Sequence, residues 1–185
     1  MIMNDRYGRY PSYGEVSQGN SSYMYNSRIN TPHNDRPMYN TGSPYTRFSD
    51  YGAEPFVVNI EEVTKQNNTF RTAIWTGQHL QLTLMSINPG EDIGLEIHPN
   101  LDQFVRIEEG SGIVKMGNQR DYLDFQRNLS PDFAFIIPAG KWHNLMNTGR
   151  VPLKLYSIYA PPQHPPGTVH VTKADALAAE EHNSY

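Results

Sequence analysis

From residue 54 onward the chain is a succession of short runs with alternating or β-branched character, each closed by turn residues. The runs are Phe56–Ile60, Thr69–Trp75, Leu80–Ile87, Ile93–His98, Gln103–Glu108, Gly112–Lys115, Phe133–Ile137 and Leu153–Tyr159. Between them stand Asn67-Asn68, Pro89-Gly90, Gly117-Asn118, Ser130-Pro131 and Asn147-Thr148-Gly149, residues that preset or tolerate turn backbones. Many short, evenly spaced strands fold as a sandwich or barrel, so the expected class is all-β. Leu82, Leu84, Val105, Ile107, Phe135 and Ile137 lie on its apolar faces and are expected among its buried side chains. Only Lys173–Glu181 reads as a helix, with Thr172 as its cap and Asp175 at the capping-box position.

The 54 residues before this region are of another texture. They contain no Leu, one Val (Val16) and two Ile (Ile2, Ile29), yet hold eight of the twelve Tyr. So few aliphatic side chains bury too little area to offset chain entropy. The expected organisation is therefore a disordered Tyr/Asn/Ser-rich arm over 1–54, a barrel over 55–172, and a short helix and tail over 173–185. Tyr and Asn in a polar background suit weak multivalent contacts, so the arm is expected to meet other proteins.

Composition excludes several functions. Net charge is −4, from 15 basic and 19 acidic residues, and no basic cluster tracks a phosphate backbone, so no nucleic-acid partner is expected. The longest strictly apolar run is Phe133–Ile137, far short of a membrane span. The first 30 residues hold no apolar signal core, and a cytoplasmic location is expected. There is no cysteine, hence no disulfide and no thiolate ligand or nucleophile. Neither a G-x-S-x-G elbow nor a phosphate-binding glycine loop is present.

Two stretches carry chemistry, Gly90–Gly110 and Pro138–Asn147. Residues two apart in a strand point the same way, so Glu96 and His98 project together from one face. Gln103 enters the next strand after a turn at Pro99–Asp102. His143 follows a Pro-x-Gly turn, and closing a barrel can bring it opposite the pair.

These stretches resemble the two cupin motifs, G-x5-H-x-H-x3,4-E-x6-G and G-x5-P-x-G-x2-H-x3-N. The match holds at Gly90, His98, Gly110, Pro138, Gly140, His143 and Asn147. Glu96 stands where the family has its first His, Gln103 where it has its Glu, and Asp132 where the second motif opens with Gly. The resemblance spans about residues 55–172 and extends to small bacterial single-domain cupins labelled mannose-6-phosphate isomerase-like. It implies a jelly-roll barrel, the double-stranded β-helix.

It also implies one divalent transition metal held by Glu96, His98, Gln103 and His143. The donor types suit Fe, Mn, Ni or Zn, and two His with one carboxylate is also the facial-triad set of non-haem Fe(II). Three functions follow as expectations. One is a sugar or sugar-phosphate isomerase with the metal as Lewis acid and Glu96 as the catalytic base. Another is an Fe(II)-type dioxygenase on a small organic substrate, and the third a non-catalytic binding or structural cupin, such as a surface-layer or coat component. A small-molecule substrate and pairing as a homodimer through a barrel face are the expected partners. Of the remaining polar residues, His164 and His170 read as surface loop, and His33 and His182 as solvated. Arg106 and Glu108 read as an exposed or interface pair, Lys141 as a solvated rim residue, and Trp142, as a strand aromatic, as core or interface, with the pocket mouth as its alternative.

Overall fold

In the computed structural model the described residues are 48–182, so the expectations for residues 1–47, including His33, and for 183–185 lie outside them. Ten strands make two antiparallel sheets. They are β1 (Arg71–Thr76), β2 (Gln81–Ile87), β3 (Glu96–Ile97), β4 (Asp102–Glu109), β5 (Gly112–Gly117), β6 (Phe125–Leu129), β7 (Ala134–Ile137), β8 (Trp142–Asn147), β9 (Leu153–Ala160) and β10 (Val169–His170). The larger sheet has the order β10-β1-β2-β9-β4-β7 and the smaller β3-β8-β5-β6. Two helices, α1 (Ile60–Gln66) and α2 (Lys173–His182), complete the chain. This is the expected jelly-roll arrangement. Among the described residues no helix is long and apolar enough to cross a membrane.

The interior between the sheets is filled by one face of each strand. Met85 and Ile87 from β2, Val105 and Ile107 from β4, Val114, Leu145, Leu153 and Leu155 are all buried there. Phe135 packs against this cluster only partly buried. Leu84 is buried as expected and Leu82 partly so, both on the other face of β2. The period-2 alternation of β2 turns Met85 and Ile87 inward, so the two leucines face outward. They are covered there by a second cluster with Val63, Ile74 and Phe48, to which Phe56 and Ile60 add.

That second cluster exists because of α1, which was not expected: the strand expected over Phe56–Ile60 is irregular, and only its last residue lies in the helix. Asn59 caps the helix, its side chain accepting from the Glu62 N–H at 3.2 Å. Glu61 and Glu62 in the first turn and Lys65 in the last complement the helix dipole. The apolar run before it stays irregular, with Val57 97 % exposed. Helix α1 also contacts β4, so Glu108 is buried rather than exposed, paired with half-exposed Arg106 at 3.1 Å. Residues 48–54, which composition assigns to the arm, join the same layer. Phe48 is buried, and the Asp50 carboxylate accepts from the Thr76 hydroxyl at 2.6 Å and the Gly167 N–H at 2.8 Å.

The turns confirm their chemistry. Gly110 and Gly140 take positive φ (87° and 77°), and a Cβ on Gly110 would meet the Pro152 carbonyl oxygen at 2.8 Å. Asp132 also takes positive φ, 71°, and its carboxylate accepts from Arg106 Nη2 at 2.7 Å. At the C-terminus Thr172 and Asp175 bond reciprocally: Thr172 N–H donates to Asp175 Oδ2 and Asp175 N–H to Thr172 Oγ1. This is the expected capping box.

Candidate metal centre

Glu96 opens the two-residue strand β3, which pairs with β8 so that Glu96 faces His143 and Ile97 faces Trp142. His98 leaves β3 on the same face as Glu96, and its carbonyl accepts from the Gly140 N–H at 2.8 Å. The Pro138-x-Gly140 turn is thus tied to the end of β3. Two segments separated by some 45 residues of sequence are thereby locked together. Glu96, His98 and His143 each offer one ligand atom, and these atoms lie within 4.8 Å of one another.

The contacts divide by oxygen. Glu96 Oε2 is 3.5 Å from His98 Nε2 and 3.7 Å from His143 Nε2, while Oε1 is 3.7 Å from Arg71 Nη2. The His143 ring is fully buried, and its Nδ1 lies 2.9 Å from the Lys141 carbonyl oxygen. Only an N–H can donate to a carbonyl, so Nδ1 carries the proton in the neutral ring and Nε2 presents its lone pair. Nε2 of His143 and Nε2 of His98 are both buried without a hydrogen-bond partner. The His143 lone pair facing a carboxylate oxygen is repelled unless a cation lies between them. The arrangement fits a divalent ion, and it leaves coordination positions open.

Burial would raise the Glu96 carboxyl, but its polar contacts with His143 and His98 and the Arg71 charge outweigh it and hold the group down at about 2. Glu96 is therefore ionised at neutral pH. Gln103 lies on β4 and is buried. Its Nε2 donates to Ser157 Oγ at 2.8 Å, and its Oε1 is buried without a partner. It lines, with His143, a void of about 10 Å3 between the sheets, about the room of one water.

Above the trio opens a cavity of about 410 Å3, walled by Arg71, Glu96, His98, Trp142, His164 and Glu180 among others. Trp142 lines it, in place of the core or interface position expected of a strand aromatic. Lys141 does not; it bonds Asn118 and borders a separate groove with Phe125 and Ile136. His164 is not the surface residue its loop position suggests. Gln81, fully buried on β2, holds it by the backbone, donating to the His164 carbonyl (2.8 Å) and accepting from its N–H (2.9 Å). Its ring meets Tyr159 edge-on at 5.2 Å and lies 6.4 Å from His170, itself half-buried. Burial, with the Arg71 charge next, pushes the His164 imidazole down to about 3, so it is neutral across the working range.

Arg71 and Tyr159 went unnoticed in the sequence. Tyr159 is buried, its ring edge-on to His98 at 5.9 Å, and Arg71 is 2 % exposed. The one signal was a charge at the inward start of a strand otherwise made of Thr, Ala, Ile and Trp.

Comparison with known proteins agrees with this architecture. The profile of the Cupin domain family matches residues 83–159. An uncharacterized protein of Bacillus subtilis, YrkC, is 71 % identical over 132 residues, 71 % of each chain. An uncharacterized protein of Acanthamoeba polyphaga mimivirus is 44 % identical over 119 residues, 64 % of this chain and 72 % of that one. The crystal structure of BH2720 from Bacillus halodurans superimposes with a TM-score of 0.70 at 67 % identity, covering 70 % of this chain and 98 % of that one.

Proposed function

The chain belongs to the cupin superfamily, and on that premise we propose that it is a divalent-metal-dependent enzyme acting on a small oxygenated molecule in the cavity above Glu96, His98 and His143. One observation carries the reading. Ligand atoms of Glu96, His98 and His143 converge within 4.8 Å, and Glu96 and His98 line a cavity large enough for a ligand. Gln103, with its unpartnered Oε1 in a void that His143 also lines, is carried as the fourth donor and the second oxygen among them.

Fe(II) in such a set supplies the redox chemistry of O2-dependent enzymes, and Mn, Ni or Zn supplies Lewis acidity. The protein's own part is orientation. The Lys141 carbonyl fixes the His143 tautomer, Gly140 pins the His98 backbone, and Gln81 holds His164 against the cavity.

The Fe(II)-type dioxygenase is the reading best supported. Glu96 as the base of a sugar-phosphate isomerase fares worse, since a carboxylate held at about 2 is a poor proton acceptor. Arg71 is also the single permanent cation among the residues lining the cavity, and a phosphate dianion calls for more. The test is to load chelator-treated protein with Fe(II), Mn(II), Ni(II) or Zn(II) and follow O2 uptake with catechol-, flavonol- and hydroxy-acid-type substrates. Fe(II)-dependent uptake supports the reading. Stoichiometric metal binding without uptake for any of them returns the site to Lewis-acid or binding roles.

A further inference from the structure

Helix α2 contributes a wall to the cavity, and its sequence spacing fixes which residue does so. Lys173, Ala176 and Glu180 stand at i, i+3 and i+7, on one face of the helix. Lys173 bonds Asp92, and Ala176 is buried in the core cluster, so that face lies against the barrel. The capping box of Thr172 and Asp175 sets where the helix begins. Glu180, on the same face as those two anchors, is thereby placed in the cavity wall with Arg71, Glu96, His98 and His164.

Those five are the ionisable groups of the wall. Arg71 is 2 % exposed and faces Glu96 at 3.7 Å, with Nε and Nη1 buried out of reach of the cavity. Glu96 turns its oxygens to Arg71 and to the two imidazoles, and His98 Nε2 is buried against it. His164 is neutral and its Nε2 is buried. Glu180 alone of the five is exposed. Neighbouring cations do not join it in the wall: Arg120 lies over the Trp142 ring at 5.7 Å, and Lys141 bonds Asn118. The Glu180 carboxyl is pushed up, by burial first and then by the Glu96 charge, ahead of the opposing pull of Arg71 and His98. A negative group on this side of the cavity thus meets a field of its own sign.

We propose that Glu180 is a specificity-determining residue of this cavity, selecting hydroxylated ligands whose outer end is uncharged or cationic and turning away those whose outer end is anionic. The hydroxyl oxygens suit the Glu96, His98 and His143 atoms, and a positive group at the other end pairs with the Glu180 carboxylate on the solvent side. A ligand with phosphate or carboxylate at its outer end falls outside the class. An ammonium and a carboxylate in the same place interact with Glu180 in opposite senses, so the preference is a ratio between two ligands of one shape. This deepens the metal-enzyme reading and rests on it for the anchoring of the hydroxyls alone.

The experiment is anaerobic titration calorimetry at neutral pH with three catechols of similar shape: ethylcatechol, dopamine and dihydroxyphenylacetate. Zn(II)-loaded and chelator-treated protein are compared as wild type, Glu180→Gln, Glu180→Lys and Glu181→Gln, with metal content and circular dichroism measured on each. Loaded wild type is expected to bind dopamine at least about fivefold more tightly than dihydroxyphenylacetate at low salt, with ethylcatechol between them. Glu180→Gln abolishes that preference and Glu180→Lys inverts it. Glu181→Gln, next in sequence but not in the wall, leaves it in place. Preference of wild type for the acid, or a ratio unchanged in folded, metal-loaded Glu180→Gln, overturns the proposal and leaves the metal reading standing. So does an equal loss in Glu181→Gln, the mark of diffuse surface charge. Loaded wild type that binds none of the catechols also overturns it. A Glu180-dependent preference without metal uptake upholds Glu180 and removes the metal reading. Absence of both rejects the two together.

Discussion

His143 Nε2 lies 3.7 Å from Glu96 Oε2 while its Nδ1 is engaged by the Lys141 carbonyl. One nitrogen is thus committed to a donor role by the backbone, and the other is left to face an anion. A proton or a metal ion resolves that contact, and which one is present depends on pH and on metal supply.

Metal loading accordingly needs neutral imidazoles. His98→Ala and His143→Ala are each expected to abolish stoichiometric binding in a titration of chelator-treated protein. Glu96→Gln removes the trio's single carboxylate and weakens binding by roughly 10–100-fold, as loss of a supporting ligand group does. Saturation at about a hundredfold above Kd adds about 2.7 kcal/mol to stability, visible as a higher Tm. Loading falls as pH is lowered, with Glu96 staying ionised throughout because its carboxyl is held at about 2.

In metal-free protein Glu96 also shapes acid stability. Its carboxyl sits below the ordinary value of 4.5 in the folded state, so it contributes stability that is fully present above about 4.5 and is lost as pH falls through about 2. Urea midpoints of apo wild type should therefore decline across that window more steeply than those of Glu96→Gln. Parallel declines would show that the carboxylate is not held by its neighbours.

The trio was legible because its signals are local. Glu96 and His98 are two apart on one strand, and the Pro138-x-Gly140 turn fixes the spacing to His143. Arg71 and His164 were not legible in the same way. Their roles come from β1 pairing with β10 and from Gln81 reaching 83 residues along the chain, contacts with no local signature. Strand β6 was missed because four of its five residues are exposed and show no apolar alternation. Helix α1 was misread because the apolar run Phe56–Ile60 precedes the helix, and Asn59, its cap, lies inside that run. Leu82 and Leu84 are apolar-face residues whose burial was legible, but what covers them was not, since nothing upstream announced a helix.

Gln81 tests the wall of the cavity. Gln81→Leu keeps the volume and removes both bonds to the His164 backbone, leaving a buried N–H and C=O unpaired. The expected loss is about 2 kcal/mol, read by urea unfolding, with weaker ligand binding at unchanged metal content. Unchanged stability would mean that water replaces the amide.

Gln103 separates a ligand from a bystander. Gln103→Glu restores the charged donor of the cupin motif next to His143 and is expected to tighten metal binding by about tenfold through the added negative ligand. No change in affinity would leave Gln103 bonded to Ser157 alone.

The boundary of the folded unit gives the last test. Composition places residues up to 54 in the arm and predicts that a cut near residue 50 leaves Tm nearly unchanged. Phe48, however, is buried with Val63, Ile74 and Leu84, and Asp50 accepts from Thr76, Gly167 and the Gly52 N–H. Burial would raise the Asp50 carboxyl, but these bonds prevail and hold it below its ordinary 3.8. Its contribution is thus present at neutral pH and lost as pH falls below that value. Phe48→Ala should cost about 3 kcal/mol from lost burial. Asp50→Ala should lower stability at pH 7, and its difference from wild type should shrink as pH falls below 3.8. A protein beginning at residue 55 should melt lower than one beginning at residue 48. Equal melting temperatures would restore the compositional boundary and make the packing of Phe48 energetically idle.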